Sequence, residues 1–472
     1  MALNSKTSDV QIHVLMVAFA AQGHINPLLR FARRLLPKGI HVALATTETA
    51  KRRMLASETA IANADNTAVI AGFDVFFFSD GFGSDFDRKA NMDHYVENFG
   101  SFASVSLSNI IEEHYLSKNK KLSCIVSNPF VSFAVDVADK YDIPSALLWI
   151  QPCALFSTYY HYFNDLNEFP ADSDVVIPGL PRLRRQDLPS FVVNSSGGLS
   201  KLFRCVFQNM KKYKWVFANS FVELEKEAID AMNNVFPVQP VGPLISPSLR
   251  NQEQTTLDSQ IEMWKPDETC LEWLDKQEPS SVIYVSFGSI LELSAKQMEE
   301  IATALKNLKA PFIWVVKKPE FPSEDRKGEL PLGFLEETKD QGIVVSWSPQ
   351  TKVLAHPSTG CFVTHCGWNS LLETIAAGVP VVAYPQWTDQ PTNAKMIEEV
   401  FKMGVRVNPR EDGLLGHEEL ERCIGDVMFG PKSELLKRRC LELKLATKTA
   451  VSDGGSSDNN IQMFVDEIIA GS

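Results

Sequence analysis

A polar cluster stands between two apolar runs in the second half of the chain. The first run, Gly360–Thr364, is rich in β-forming residues, and the segment Ser370–Ala377 after it has the spacing of an amphipathic helix. The corner between them carries His365, Asn369 and Ser370. Unpaired backbone N–H groups and the positive end of a helix dipole favour an anion at such a corner. The spacing therefore predicts a phosphate site at the carboxyl end of a buried strand.

Two further side chains near this corner suit a nucleoside. Trp347 closes the apolar run Ile343–Ser346, which places a flat indole ring, able to stack on a base, at the end of a strand. Glu373 lies one turn into the predicted helix, where its carboxylate can accept hydrogen bonds from a ribose diol. Together with the phosphate site, these residues predict a nucleotide site at the carboxyl ends of parallel strands.

His24 is the residue in the first half whose type could move a proton. It lies in the predicted loop Ala20–Ile25, after the continuous apolar run Ile12–Phe19, and Asn26-Pro27 is predicted to open the following helix. An imidazole with a pKa of about 6.5 can accept a proton from a hydroxyl at neutral pH. A histidine that only caps the helix or faces solvent is the alternative, and the position favours the base only modestly.

The helix after His24 has one apolar face and several cations. Leu28, Phe31, Ala32, Leu35 and Leu36 share the apolar face. The remaining faces carry four basic residues, which we expect to be solvated: Arg30, Arg33, Arg34 and Lys38.

The stretch from Trp347 to Gln390 carries the ordered pattern W-x-P-Q … H-C-G-W-N-S-x-x-E … D-Q. It resembles, nearly residue for residue, the signature box of plant family-1 UDP-sugar-dependent glycosyltransferases. The resemblance extends over the whole chain, from AAQGHINPLLRFARRL to the final helix. It implies a GT-B fold, in which two Rossmann-like doubly wound α/β domains face each other across a cleft. It also implies that His24, in its Q-G-H-x-N-P setting, is the catalytic base.

The resemblance further implies a donor site for UDP-glucose, which would be a substrate, with no cofactor and no metal. Gln390 at the end of the box resembles glucose users. Trp347 is expected to stack on uracil, and Gln350 and Glu373 are expected to bind the ribose. The residues expected to contact the diphosphate are Ser289, His365, Asn369 and Ser370. Those expected to contact the sugar are Trp368, Asp389 and Gln390.

One position departs from the family pattern. In many relatives an aspartate orients the catalytic histidine and stabilises its positive charge, but the matching residue here is Asn128. An amide orients a ring without supplying charge, so His24 is expected to be a weaker base. Asp136 is the nearest alternative partner. A carboxylic acid, ionised at pH 7, needs less help from a base than a phenol with a pKa of about 10, so Asn128 favours an acceptor carboxylate.

The acceptor is expected to be a small aromatic or phenolic plant metabolite, because the sequence resembles the subgroup that glucosylates aromatic carboxylates and phenolics. Inverting transfer would give a β-glucose ester or a phenolic O-glucoside, and C-glucosylation of an electron-rich ring is the alternative. The acceptor pocket is expected to be apolar and to include Phe19, Phe130, Trp149, Phe156 and Trp387.

Three rival classes can be weighed against the same residues. A metal-dependent glycosyltransferase would use Asp-x-Asp, which residues 85–87 and 172–174 match, but both triplets lie far from the box and are expected in surface loops. A nicotinamide-dependent oxidoreductase would carry Gly-x-Gly-x-x-Gly between a strand and a helix, and no such run occurs. A non-catalytic nucleotide-sugar-binding protein would keep the box but would have no need of His24.

Strands alternate with helices in both halves of the 472-residue chain, which predicts two parallel doubly wound sheets. We expect an N-terminal acceptor-binding Rossmann-like domain over residues 1–245 and an exposed linker over 246–265. A C-terminal UDP-sugar-binding domain would occupy 266–450, and a final helix in 451–472 would pack back on the first domain.

Charge and cysteine content narrow the class of protein. The net charge of −12 gives no general attraction for nucleic acid or anionic lipid. No secretory signal and no run of roughly 18 apolar residues is visible. The eight cysteines include no Cys-x-x-Cys pair and are expected to be buried free thiols in the cytoplasm. The expected partners are UDP-glucose and the acceptor, and the chain is expected to be a monomer.

Overall fold

The computed structural model describes residues 11–56, 60–62, 67–70, 72–88, 90–250, 267–288, 292–317 and 327–471. The strands of the first half are β1 (Ile12–Val17), β2 (Ile40–Thr47), β3 (Ala60–Ala62), β4 (Thr67–Ile70), β5 (Phe73–Phe78), β6 (Leu122–Ser127), β7 (Ser145–Trp149), β8 (Trp215–Ala218) and β9 (Gln239–Pro240). Those of the second half are β10 (Val282–Ser286), β11 (Phe312–Val315), β12 (Gly342–Val345), β13 (Thr359–Thr364), β14 (Val381–Ala383) and β15 (Gly404–Arg406).

Helices alternate with these strands. The helices of the first half are α1 (Gln22–Leu35), α2 (Glu48–Ala56), α3 (Met92–His114), α4 (Phe133–Lys140), α5 (Cys153–Phe163), α6 (Ser190–Val193), α7 (Gly198–Gln208) and α8 (Val222–Asn233). Those of the second half are α9 (Thr269–Leu274), α10 (Ala295–Leu308), α11 (Phe334–Glu337), α12 (Gln350–Ala355), α13 (Trp368–Ala377), α14 (Gln390–Lys395), α15 (His417–Met428), α16 (Ser433–Val451) and α17 (Ser456–Ala470). No helix among these residues is both long enough and apolar enough to cross a bilayer.

The described strands form two sheets, one in each half. The first has the order β3-β4-β5-β2-β1-β6-β7-β8-β9, and the second has the order β12-β11-β10-β13-β14-β15. Every pair in the second sheet is parallel, whereas β3, β4 and β5 pair antiparallel at one edge of the first sheet. The strand order reverses between β1 and β6 and again between β10 and β13. Loops diverge at such reversals and open a crevice at the carboxyl edge of each sheet.

The chain ends on the first half of the molecule. The apolar face of α17, which includes Ile461, Phe464 and Ile468, belongs to the same core cluster as β1 and α1. Trp215 donates its indole N–H to Glu467 over 2.7 Å. The side chain of Arg34 on α1 bonds to Asp458 over 2.9 Å. Apolar burial and polar contacts therefore both hold the last helix against the first sheet.

Three local predictions differ from the structure. Helix α1 begins at Gln22 rather than at Asn26, so Pro27 lies inside the helix and His24 lies in its first turn. The predicted exposed linker contains the 3₁₀ helix Pro247–Arg250, in which Pro247 and Leu249 are buried; its residues 251–265 lie outside the described part. All eight cysteines are free thiols, but Cys205 is exposed rather than buried.

Candidate active site

A cavity of about 550 Å³ lies between the carboxyl edges of the two sheets. One wall comes from the segments after β1 and β6, and the other comes from the segments after β10, β12, β13 and β14. The structure brings together most of the predicted site residues on these walls: Phe19, His24, Phe130, Trp347, Gln350, His365, Trp368, Asn369, Ser370, Glu373, Trp387, Asp389 and Gln390. The cavity therefore brings His24 together with the predicted donor-site residues of the signature box.

His24 faces the cavity from the first turn of α1, in an aromatic surrounding. Its ring centroid lies 5.7 Å from that of Phe19 and 4.8 Å from that of Phe130. Burial lowers the pKa of His24 from 6.5 to about 4, and the side chain of Asn128 acts in the opposite direction. The imidazole is therefore neutral at pH 7 and can accept a proton, but its basicity is low.

Asn128 follows β6 and reaches the same turn of α1. Its Nδ2 donates to the His24 carbonyl over 3.4 Å. His24 Nδ1 and Asn128 Oδ1 are both buried, and neither has a hydrogen-bond partner among the described residues. The alternative partner, Asp136, is exposed on α4 and forms an ion pair with Lys212. Asp136 is therefore not the residue that supports His24.

Pro27 explains why α1 can contact the second half of the chain. Proline has no backbone N–H, so the carbonyl four residues earlier, at Gly23, receives no helical hydrogen bond. Asn369 Nδ2 from α13 donates to this carbonyl over 3.0 Å. The carbonyl that Pro27 leaves without a helical donor is thus the point at which α1 contacts α13.

The N-terminus of α13 has the features of an anion site. Gly367 is its N-cap, no side chain caps the helix, and the first turn carries no acidic residue. His365 lies two residues before Gly367. Burial lowers the pKa of His365 to about 4, and a hydrogen bond with the Ser286 backbone acts in the opposite direction. The first-turn N–H groups have no partners within the helix, although that of Trp368 bonds to the Asp389 carboxylate. Together with the helix dipole and a neutral imidazole that can donate an N–H, they suit a diphosphate.

Two glycines make room for the His365 ring. A Cβ atom on Gly367 would lie 2.5 Å from His365 Nε2, and a Cβ atom on Gly288 would lie 2.8 Å from the same ring. Cys366, between His365 and Gly367, has a left-handed φ of 68°, as does Thr388 with 58°. Such angles are unusual outside glycine, and nothing in the residue types predicted them. They turn the chain just before helix α13 and just before helix α14.

Glu373 lies at the centre of a hydrogen-bond network. Gln350 Nε2 donates to Glu373 Oε2 over 2.9 Å and to Ser370 Oγ over 3.0 Å. Arg30 Nη2, from α1, donates to Glu373 Oε1 over 2.9 Å. Both charged side chains are almost completely buried, with exposed fractions of 6% and 8%. Its place among the polar positions of α1 had predicted a solvated Arg30, and this prediction is wrong.

The end of the box is organised by contacts within the protein. Gln390 Oε1 accepts the backbone N–H groups of Gln386 and Trp387 over 2.9 and 3.1 Å, so its NH₂ group is the part left for a ligand. Asp389 accepts from Asn393 over 2.7 Å, and burial raises its pKa. Trp368 differs from its prediction, because its indole N–H donates to the carbonyl of Asn219 over 2.7 Å and is not available to a sugar hydroxyl.

Comparison with known proteins fits this arrangement. Residues 260–437 match the family model described as UDP-glucoronosyl and UDP-glucosyl transferase. The chain is 42% identical to limonoid UDP-glucosyltransferase of Citrus unshiu, over 97% of this chain and 90% of the relative. It is 40% identical to gallate 1-beta-glucosyltransferase 84A24 of Punica granatum, over 98% and 89%.

Solved structures show the same fold. Os79 from O. sativa in complex with UDP superposes with a TM-score of 0.84 and 31% identity, over 96% of this chain and 100% of that one. A UDP-glucosyltransferase from Polygonum tinctorium capable of glucosylating indoxyl superposes with a TM-score of 0.82 and 30% identity, over 97% and 98%. The chain belongs to the UDP-glycosyltransferase family. Its two facing parallel-sheet α/β halves are the predicted GT-B fold.

The cavity lining agrees only in part with the predicted acceptor pocket. Phe19, Phe130 and Trp387 line the cavity. Trp149 and Phe156 are completely buried, and the Trp149 indole N–H donates to the Pro152 carbonyl over 3.0 Å, so both belong to the core. Sequence reasoning missed several lining residues from α3, α6, α7 and the loop after β7: Met92, Tyr95, Val96, Gln151, Phe191, Leu199 and Leu202. Only the position of Gln151 after a buried strand could have indicated one of them.

Two other predictions concern the Asp-x-Asp triplets and Ser289. The Asp-x-Asp triplets at 85–87 and 172–174 have exposed aspartates, as a surface-loop interpretation requires, and they do not line the cavity. Ser289, predicted to contact the diphosphate, lies outside the described residues.

Proposed function

We propose that this glycosyltransferase transfers glucose from UDP-glucose to a small aromatic acceptor, with inversion and without a metal, and that it prefers the acceptor's carboxylate over a phenol. The observation that carries the proposal is a neutral His24 with a depressed pKa that has the amide of Asn128, and not a carboxylate, beside it, across the cleft from the predicted donor residues. The relatives named for gallate and cinnamate, at 40% and 38% identity, have carboxylates as their named acceptors.

The donor would lie along the second wall of the cleft. Trp347, at the carboxyl end of β12, would stack on uracil, and the Gln350–Glu373 pair would hold the ribose diol. His365, Asn369 and Ser370 would meet the diphosphate at the N-terminus of α13. Asp389 and the NH₂ group of Gln390 would meet the sugar hydroxyls. Gln390 also supports glucose as the sugar.

The reaction would be a direct displacement. An acceptor oxygen attacks the anomeric carbon from the face opposite UDP, the bond between that carbon and the β-phosphate oxygen breaks, and the α-linked donor gives a β-product. The negative charge on the departing diphosphate is stabilised by His365 and the helix N-terminus. A carboxylate brings no proton, so His24 need only orient it, whereas a phenol must give its proton to His24.

Product analysis with p-hydroxybenzoate tests this proposal, since the compound offers one carboxylate and one phenol. The purified protein receives UDP-glucose and this acceptor, and the product is analysed by mass spectrometry before and after mild alkali. We expect a base-labile β-glucose ester. A base-stable phenolic O-glucoside or C-glucoside would overturn the carboxylate preference, and an α-linked product would overturn inversion. Absence of turnover would exclude p-hydroxybenzoate as an acceptor.

Two variants accompany the product analysis. His24→Ala should abolish transfer to a phenol more completely than transfer to a carboxylate. His417→Ala, on α15 and outside the cavity, should change neither. A cytoplasmic location is part of the proposal and rests on the eight free cysteines. The monomeric state stays a prediction.

A further inference from the structure

Helices α1 and α13 contact each other at two points one or two turns apart. Asn369 and Glu373 lie four residues apart on α13, so they share one face of that helix. Asn369 bonds to the Gly23 carbonyl, next to His24, and Glu373 bonds to Arg30, two turns further along α1. The helix that carries His24 is therefore joined directly to the helix that carries the donor site.

Arg30 is itself held in place from the side of the first sheet. Its Nη1 donates to the Leu244 carbonyl over 3.1 Å, and the Leu244 N–H donates to Asn219 Oδ1 over 2.8 Å. The Asn219 carbonyl in turn accepts the indole N–H of Trp368. These bonds close a ring that runs from α1 through Leu244 and Asn219 to α13 and returns through Glu373. Arg30 therefore presents its second amino group from a fixed position.

The Glu373 carboxylate is held from two sides by this arrangement. Arg30 occupies one lone pair of Oε1, and Gln350 occupies one lone pair of Oε2. A carboxylate has about four acceptor positions, so both oxygens can still accept from a diol. Without Arg30, the buried carboxylate would lose its charged partner and one of its two fixed bonds. A buried charge in that state is costly and turns toward other donors.

We infer that Arg30 is a positioning residue for the donor site: it orients Glu373 for the ribose diol and couples donor binding to the helix that carries His24. The inference rests on the proposed donor role of Glu373. It predicts that an arginine of the first half, outside the signature box, contributes to the affinity for UDP. It also predicts that this contribution is transmitted through the ribose hydroxyls and not through the stability of the fold.

The test measures the dissociation constants of UDP and 2′-deoxy-UDP by calorimetry, together with the thermal unfolding midpoint. Four variants are compared with the wild type: Arg30→Met, Arg30→Lys, Glu373→Gln and Arg34→Met. Arg34 is the matched control, since it lies on the same helix and forms a partly buried ion pair with Asp458, far from the donor site. If Arg30→Met does not accumulate in folded form, Arg30→Gln replaces it, because glutamine also removes the charge.

Arg30→Met should raise the dissociation constant of UDP roughly tenfold, which is the size expected for the loss of one charge-assisted hydrogen bond. It should also reduce the preference for UDP over 2′-deoxy-UDP, as Glu373→Gln should. Arg30→Lys, which keeps the charge, should recover part of both effects. With UDP-glucose as substrate, the KM for the donor should rise and the KM for the acceptor should not. Arg34→Met should lower the unfolding midpoint and leave both dissociation constants within about twofold of wild type.

The outcomes separate this inference from the proposed function. If Glu373→Gln binds both nucleotides as the wild type does, the donor role of Glu373 fails, and the role of Arg30 fails with it. If Glu373→Gln loses the preference for UDP but Arg30→Met keeps it, the donor role stands and the inference is overturned. Arg30→Met with a lower unfolding midpoint and an unchanged nucleotide preference would mean that the ion pair is structural only.

Discussion

Replacing Asn128 with aspartate should convert His24 into a stronger base. Burial holds the pKa of His24 at about 4 rather than 6.5. Relative to a free imidazole, the folded site therefore favours the neutral form by roughly 3 kcal/mol. A carboxylate within hydrogen-bonding reach of an imidazole raises its pKa by about 1–3 units. Asn128→Asp should therefore bring the pKa of His24 to between about 5 and 7. If half of that change is expressed in the rate of proton removal, transfer to a phenol rises roughly 3- to 30-fold.

Two acceptors with one reactive group each measure this effect. Methyl p-hydroxybenzoate has only the phenol, and p-methoxybenzoate has only the carboxylate. The value of kcat/KM for the phenol should rise in Asn128→Asp, and the value for the carboxylate should stay within about twofold, because a carboxylate needs no deprotonation at pH 7. Asp136→Asn, an exposed position paired with Lys212, serves as the control and should change neither value. Equal changes for both acceptors, or no change for the phenol, would refute the assignment of Asn128 as the residue that limits His24.

Two further predictions follow from the histidines and glycines of the site. Because the pKa values of His24 and His365 are about 4 in the folded protein and about 6.5 when unfolded, stability is full above pH 6.5 and falls as the pH drops toward 4. At pH 5 each histidine should lower the free energy of unfolding by about 2 kcal/mol. The thermal unfolding midpoint should therefore be lower at pH 5 than at pH 7.5, and the difference should be smaller in His24→Gln. An equal decrease in that variant would contradict the depressed pKa. Gly367→Ala should weaken UDP binding by calorimetry because its Cβ would meet the His365 ring, whereas Gly425→Ala on α15, where nothing lies within 4 Å, should leave it unchanged; unchanged UDP binding in Gly367→Ala would refute the role of His365.

The fold was largely predictable because its elements leave periodic signals in the sequence. Buried parallel strands read as continuous apolar runs, as in β1 and β13, and the helices between them show one apolar face. The Ser-x-x-Gln spacing of Ser294 and Gln297 is a helix-start signal of the same kind, and the Ser294 hydroxyl accepts the Gln297 N–H over 3.2 Å. These signals depend on neighbours within a few residues, so they survive without knowledge of the tertiary structure.

The side chains that line the first-half wall of the cavity were less predictable. Trp149 and Phe156 were predicted to line the acceptor pocket, but composition does not tell which side of a strand or helix faces a cavity. Trp149 and Phe156 face the core, where they pack against Phe207 with ring centroids 5.7 and 5.4 Å away. Tyr95 and Leu199, from two helices distant in sequence, contribute to the cavity instead. Which apolar side chain faces a cleft depends on how helices dock, and no local pattern records that.

The sequence by itself determined the alternation of strands and helices, the order of the box residues and the position of His24 after the first strand. Only the tertiary structure decided how the two halves meet. Arg30 looked like a solvated cation because its partner, Glu373, lies 343 residues away, and Pro27 looked like the start of a helix because the group that uses the free Gly23 carbonyl lies on α13. A buried ion pair or a vacant carbonyl is satisfied by whatever folding brings beside it, and its partner is therefore fixed by docking rather than by local periodicity.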